Sequence, residues 1–349
     1  MKDLLGYIKK VLLFLAPFFV IITAYIIIDP FMVIFRYNDF NRRSYIPKNR
    51  DYVSSEVYLM NREEEKYDSF IFGSSTALFV RPSIWMSYLP DTATVFSFDA
   101  SRENIIGIWS KIKFIDHMND PIENAVFVID YNYAFDKLDK GNVLFVKHPR
   151  ICHSSWFNFQ YKNLLKIFDM TLIRSLVVYG LTNEFKPYMT DCLLDERSYI
   201  NPVTNEYTNF SIQEELNADS LRYYEIRRDR FPERSGQECE YRQQISGDHI
   251  EMLNEIKYIF KKHGTDYRII IAPNYQQISF NKNDLEILRD VFGKDKIFDF
   301  TGINNISEDK SNFYDGLHFK PYVGKQLLDI TYGNSSAVMN ASKASALLR

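Results

Sequence analysis

Apolar and polar positions fall into two regimes along this chain. Residues 11–28 ("VLLFLAPFFVIITAYIII") form an eighteen-residue run without a charge, ending at Asp29-Pro30. That length just covers a bilayer hydrocarbon core. From residue 67 onward, short apolar runs alternate with amphipathic ones. "YDSFIFG" (67–73), "ATVFSF" (93–98), "AVFVID" (125–130), "RIIIAP" (268–273) and "KIFDF" (296–300) read as strands. Between them, 76–89, 103–118, 247–264, 283–293 and 320–330 read as helices. Pro82 restarts the first of these, Gly264 stops the third, and Pro321 sits in the first turn of the last, where a missing N–H costs nothing. In 247–264, Ile250, Leu253, Ile256 and Phe260 recur on one face.

Apolar strands alternating with helices predict a mostly parallel five-stranded sheet covered on both faces, a three-layer α/β/α arrangement. The expected organisation is an N-terminal anchor (1–30), a polar and aromatic connector (31–66) closing with the charge run "NREEEK", and an α/β domain (67–332). An insertion at about 134–246 interrupts that domain, with one helix expected over 156–181 and a turn-rich excursion over 193–211. A low-complexity tail (333–349) follows. The apolar N-terminal run lacks the small-x-small cleavage site of a secretory signal, so it reads as an uncleaved transmembrane helix, with a buried core helix as the alternative.

Composition narrows the function classes. With 349 residues and a net charge of −3, the chain has room for a substantial core but no basic stripe for nucleic acid. The 24 Tyr and 28 Phe suit a packed core, and secondarily sugar stacking. Cys152, Cys192 and Cys239 show neither CxxC pairing nor metal-ligand spacing, and leave open a Cys192–Cys239 disulfide or three free thiols. Nothing matches a phosphate loop, a dinucleotide fingerprint or a metal site, so no cofactor is expected. Lys2, Lys9 and Lys10 precede the apolar run, and Arg36, Arg42, Arg43, Lys48 and Arg50 follow it. By the positive-inside rule alone, that count leans towards a cytoplasmic body.

Two short motifs carry chemistry. "FGSS" (72–75) follows the first strand, and "YDGLHF" (314–319) precedes the last helix. A serine hydroxyl attacks a carbonyl only when a base takes its proton and an acid orients that base. Gly73 permits a sharp turn, after which Ser75 stands at a helix start whose N–H groups face a developing oxyanion. Asp315 and His318, three residues apart, can meet within one turn. Taken separately, "GSS" also suits a helix N-cap and Asp-x-x-His an ordinary loop. In "KHPRICHSS", His148, Arg150 and His153 are candidates for holding an anionic polymer or acyl donor, with a solvated loop as the plain alternative.

An early Gly-x-Ser turn with a late Asp-x-x-His pair resembles the SGNH/GDSL hydrolase superfamily over residues 67–330, outside the insertion. The resemblance implies Ser75, rather than Ser74, as nucleophile, His318 as base and Asp315 as its orienting acid. It implies an oxyanion hole built from the Ser75 N–H, that of Ala100 or Ser101 in "SFDASREN", and Asn132 in "DYNYAFD". Two stretches depart from the superfamily pattern: the expected glycine after the second strand is missing, and Asp130 stands where glycine is usual. The anchor, "GSS" in place of "GDS" and the aromatic insertion look like a membrane-anchored branch around the teichoic-acid D-alanine transfer protein and alginate-type O-acetylation proteins. That branch implies an extracytoplasmic body on the cell membrane and a Ser-His-Asp acyltransferase or esterase. It would act on a cell-surface glycopolymer or other acylated carbohydrate, beside a membrane-bound O-acyltransferase. A non-catalytic anchored subunit that binds polymer or acyltransferase is the rival expectation.

Overall fold

The computed structural model describes residues 2–42, 45–136, 142–189, 192–194 and 197–333, so the tail expected over 333–349 lies outside the described residues beyond Gly333. The main sheet is formed by β1 (Ser69–Gly73), β2 (Val95–Asp99), β3 (Asn124–Ile129), β4 (Asp266–Ile271) and β5 (Ile297–Asp299). All pairings are parallel, in the spatial order β2-β1-β3-β4-β5. Each strand coincides with one of the five apolar runs.

Strand residues alternate between two apolar clusters. Phe70, Phe72, Phe98, Phe127, Ile269 and Ile271 belong to one, packed with helices Arg50–Glu65, Ile105–His117, Gly247–His263 and Lys282–Phe292. Ile71, Val126, Val128 and Ile270 belong to the other, with Ala77, Trp85 and the closing helix Pro321–Thr331. Because both faces of β1, β2 and β3 are buried, these strands read as continuous hydrophobic runs rather than alternating ones.

The sheet order reverses direction beside β1, and the carboxyl ends of β1 and β3 flank the resulting crevice, where ligands of open α/β sheets sit. Gly73 ends β1 with φ +154°, and a Cβ there would stand 2.5 Å from the Val128 carbonyl oxygen of β3. Glycine therefore lets the two strand ends close up just before the two serines.

Other parts of the chain differ from expectation. The segment read as a connector contains the helix Arg50–Glu65, whose first half is buried although much of it is polar (Arg50, Asp51, Ser54, Ser55). The helix expected over 156–181 is two, Trp156–Lys166 and Met170–Thr182, because the Asp169 carboxylate accepts from the Thr171 and Leu172 N–H groups (2.8 and 3.3 Å) and starts a new helix. The excursion covers the outer edge of β2: Ser97 N–H donates to Thr204 O (3.0 Å), and Asn205 Nδ2 donates to Ser97 O (2.6 Å). An unpaired sheet edge is thereby capped. All three cysteines are free thiols. Cys192 is buried against the Ser175 hydroxyl (3.3 Å), so the Cys192–Cys239 disulfide is not formed.

Residues 6–28 form the described helix that is long and apolar enough to cross a membrane, and it is almost wholly exposed. Asp29 shapes its exit. The carboxylate accepts from the N–H groups of Val33, Ile34 and Phe35 (3.0, 2.9 and 3.1 Å) and from the Tyr37 hydroxyl (2.9 Å).

The closing helix meets the serine turn through backbone. A Cβ on Gly324 would lie 2.0 Å from the Phe79 carbonyl oxygen. We predict that Gly324→Ala, by forcing these backbones apart, costs about 1–3 kcal/mol of stability, as overpacking typically does. Denaturant unfolding checks this, and an unchanged midpoint would show that the approach is not tight.

Candidate active site

Two loops far apart in sequence meet at the carboxyl end of the sheet. Ser74 caps the short 3-10 turn Ser75–Phe79, its Oγ accepting from Thr76 N–H (3.3 Å). Ser75 is partly exposed, and its Oγ lies 2.7 Å from His318 Nε2. His318 Nδ1 lies 2.7 Å from Asp315 Oδ2, while Asp315 Oδ1 accepts from the N–H groups of Leu317 and His318 (both 2.9 Å). With its carboxylate tied on both oxygens, Asp315 directs the imidazole so that Nδ1 carries a proton and Nε2 faces Ser75.

The insertion clamps the loop that carries this pair. Gly316 N–H donates to Arg230 O (2.8 Å), and the Tyr223 and Tyr224 hydroxyls donate to Tyr314 O and Phe313 O (both 3.0 Å). Tyr275 N–H donates to Gly316 O (3.1 Å), and Phe79 meets the His318 ring edge to face at 5.8 Å. These contacts leave the His318 and Asp315 side chains 28% and 25% exposed, reachable but largely desolvated.

The two serines differ in their partners. Ser74 Oγ donates to Asp130 at the end of β3, and Thr76 Oγ1 donates to the other oxygen of the same carboxylate (2.7 Å). Asp130 thus bridges the crevice between β1 and β3 and locks the turn, leaving Ser75 facing His318. Sequence reasoning noted Asp130 only as a departure from the superfamily pattern. Its role as a tether needed the β1–β3 adjacency, which no local motif displays.

Burial favours neutral forms of both members of the pair, but their mutual attraction wins. For Asp315, burial pushes upward, yet the His318 charge, its hydrogen bond and the two backbone N–H groups bring the carboxyl down to about 2. For His318, burial pushes downward, and the Asp315 carboxylate, its hydrogen bond and the more distant Asp130 raise it above its ordinary value. Asp130 itself is raised by burial, against the two hydroxyl hydrogen bonds.

The other candidate residues fare differently. The Ala100 N–H donates to Gly73 O (3.2 Å), continuing the β1–β2 ladder, so it is spent and does not face an oxyanion. The Ser75 and Ser101 N–H groups have no acceptor among the described residues. Asn132 makes no hydrogen bond to Ser75 or His318, and its Oδ1 is buried without a partner. His148 is corrected from a binding loop to a core position. It is fully buried, with Nε2 2.8 Å from Glu56 Oε1, and Nδ1 accepts from Arg150 N–H (3.2 Å). Arg150 lies over the Phe114 ring (6.0 Å to its centroid), and His153 is exposed at φ +47°. None of the three contacts the Ser75–His318 pair.

Beneath the Ser101 loop lies a buried ionic network that the sequence did not disclose. Arg50 pairs with Asp99 (2.6 Å), and Lys111 reaches Asp51 (3.3 Å) and the Phe98 and Asp99 carbonyls (both 3.2 Å). Lys147 pairs with Glu103 and with Asp51 (3.4 Å). Burial alone would raise Asp51, but the two lysines outweigh it and hold it at about 2. Gly107 makes room for the pair, since a Cβ there would stand 2.0 Å from Glu103 Oε1 and 2.7 Å from Lys147 Nζ.

Comparison of the sequence with protein-family models and with curated proteins found no match.

The charge pattern sets a pH dependence. Protonated His318 cannot take a proton from Ser75, so any serine reactivity rises with pH through the raised His318 value. Asp130→Asn keeps one acceptor oxygen and turns the other contact round, its Nδ2 donating to a hydroxyl, while removing a negative charge that helps protonate His318. The rising limb should therefore move to lower pH in this variant, with the folded state retained. A pH profile of serine acylation measures it, and a limb displaced to higher pH would contradict the assignment.

Proposed function

We propose that this protein is a membrane-anchored, extracytoplasmic serine acyltransferase or esterase that moves or removes acyl groups on a cell-surface glycopolymer. The single observation that carries the reading is the Ser75–His318–Asp315 relay, with 2.7 Å between Ser75 Oγ and His318 Nε2 and 2.7 Å between His318 Nδ1 and Asp315 Oδ2. Its place at the crevice of a parallel sheet supports an SGNH-like three-layer arrangement. The extracytoplasmic side and the glycopolymer rest on the resemblance of "FGSS", "YDGLHF" and the anchored layout to that superfamily's membrane-bound branch.

The chemistry follows from the geometry. His318 Nε2 takes the Ser75 proton as Oγ attacks the acyl carbonyl, and Asp315 steadies the imidazolium that forms. The Ser75 N–H, with that of Ser101, holds the developing oxyanion. As the tetrahedral adduct collapses, His318 returns the proton to the departing alkoxide, leaving an acyl group on Ser75. An incoming hydroxyl, from a sugar or from water, is then deprotonated by His318 and takes the acyl group, restoring free Ser75. A membrane-bound O-acyltransferase alongside would supply the acyl donor.

A second reading, a non-catalytic anchored subunit that binds polymer or acyltransferase, is favoured by the engagement of the Ala100 N–H with Gly73 O, which narrows the oxyanion site.

Single substitutions separate the two. With an aryl acetate as donor, Ser75→Ala and His318→Ala should each abolish turnover, and the double variant should lose no more than either alone, because such residues act as a unit. Asp315→Asn should lower kcat about 10⁴-fold by permitting the wrong tautomer. Ser74→Ala should be milder. Retention of activity in Ser75→Ala, or its loss in Ser74→Ala alone, would overturn the assignment. Binding of polymer by a wild-type protein whose Ser75 is not labelled by a fluorophosphonate would favour the second reading.

A further inference from the structure

The helical hairpin formed by Trp156–Lys166 and Met170–Thr182 leaves a broad apolar face uncovered. Phe157, Tyr161 and Leu165 recur at intervals of four along the first helix, and Met170, Val177 and Leu181 line the second. They are 81%, 49%, 48%, 74%, 54% and 83% exposed. Isolated exposed apolar residues need no explanation, but six large ones on the two successive helices of one hairpin point to an interaction surface.

The opposite face is fixed to the domain. Phe159, Asn163, Leu172 and Ser175 are buried. Phe159 stacks on Tyr52 of the buried helix (5.4 Å), and Gln160 Nε2 donates to Val33 O (2.7 Å), close to where the N-terminal helix leaves the domain. The hairpin therefore cannot turn its apolar face inward.

We propose that this hairpin is a second membrane-contacting element, lying against lipid in the leaflet nearer the domain. The proposal rests on the reading of residues 6–28 as a membrane anchor. The deciding observation is the Phe168 ring, at the hairpin tip, 6.4 Å from that of Phe18 in the middle of the anchor. Phe18 lies ten residues before Ile28, which at the helical rise is about 15 Å along the axis. The hydrocarbon core is about 30 Å thick, so a bilayer that holds the anchor also surrounds the tip. The hairpin's four charged side chains, Lys162, Lys166, Asp169 and Arg174, all have partners, which is compatible with this position. Lys166 and Asp169 at the tip neutralise each other (2.6 Å), and Arg174 lies over the Tyr188 ring (4.4 Å). Met170–Thr182 is apolar but, at about 20 Å, too short to cross, so the hairpin enters the nearer leaflet from the domain side without spanning the bilayer. Two attachments in place of one would hold the domain at a set height and tilt over the bilayer.

The test uses the full chain in phosphatidylcholine–phosphatidylglycerol vesicles, with nitroxide labels on single added cysteines in a Cys152→Ser, Cys239→Ser background. Cys192 is buried, and the partly exposed Cys152 is replaced by serine together with Cys239, so no native thiol competes for label. Labels enter through Phe157→Cys, Met170→Cys and Leu181→Cys, with Val20→Cys in the anchor and Tyr258→Cys on the exposed helix Gly247–His263 as references. The three hairpin labels should lose collisions with a water-soluble nickel chelate and gain collisions with oxygen, following Val20→Cys and opposing Tyr258→Cys. Hairpin labels as nickel-accessible as Tyr258→Cys, with Val20→Cys in lipid, would overturn the hairpin proposal and leave the anchor standing. Nickel access at Val20→Cys would overturn the anchor and the hairpin together. Shielding from both reagents would mean a second copy covers the face, and shielding found only in native membranes would mean a protein partner does; either result overturns contact with lipid.

Discussion

Contact between the serine turn and the histidine loop depends on how closely two stretches of backbone approach each other. Ser75 and His318 are 243 residues apart, and their 2.7 Å contact requires the closing helix Pro321–Thr331 to lie directly on the turn that follows β1. Gly324 allows this, because the Phe79 carbonyl occupies the space a side chain would need. At the other side of the turn, Gly73 admits the Val128 carbonyl. The serine turn is thus held between two backbones, and Trp85 Nε1 to the Tyr332 hydroxyl (2.8 Å) and the Tyr88 hydroxyl to Asp329 (2.7 Å) tie its continuation to the same helix.

Polar forces act where apolar packing cannot orient. Asp130 fixes Ser74 and Thr76 across the β1–β3 crevice, and the buried ions around Asp51, Glu103, Lys111 and Lys147 anchor the loop carrying Ser101. Buried charges are costly unless fully paired, and removing one partner from such a set is far worse than replacing the whole set with apolar groups. The helix Arg50–Glu65 contributes Arg50 and Asp51 to these contacts. The chain just after the membrane-spanning candidate is therefore continuous with the scaffold of the candidate site.

What the sequence made legible follows from which features are local. Parallel strands buried on both faces, fully so in β1, β2 and β3, leave unbroken apolar runs, and Gly-x-Ser and Asp-x-x-His are short enough to read by chemistry. The helix Arg50–Glu65 escaped because its buried residues mix Tyr52, Val53, Val57 and Tyr58 with Arg50, Asp51, Ser54 and Ser55, which blurs the apolar periodicity. His148 looked like a loop histidine because its partner Glu56 is 92 residues away. Ala100 was a fair candidate until pairing showed its N–H continuing the β1–β2 ladder. The split between Trp156–Lys166 and Met170–Thr182 turned on one capping carboxylate, Asp169, within an otherwise helical pattern.

The central claim is that Ser75 is an activated nucleophile. It is tested most directly by treating the full-length protein with a fluorophosphonate and locating the adduct by peptide mass spectrometry. The account predicts a single phosphonylated serine, Ser75, with labelling that rises with pH and vanishes in His318→Ala. An unlabelled Ser75 in the folded wild-type protein, or an adduct on Ser74, would contradict it.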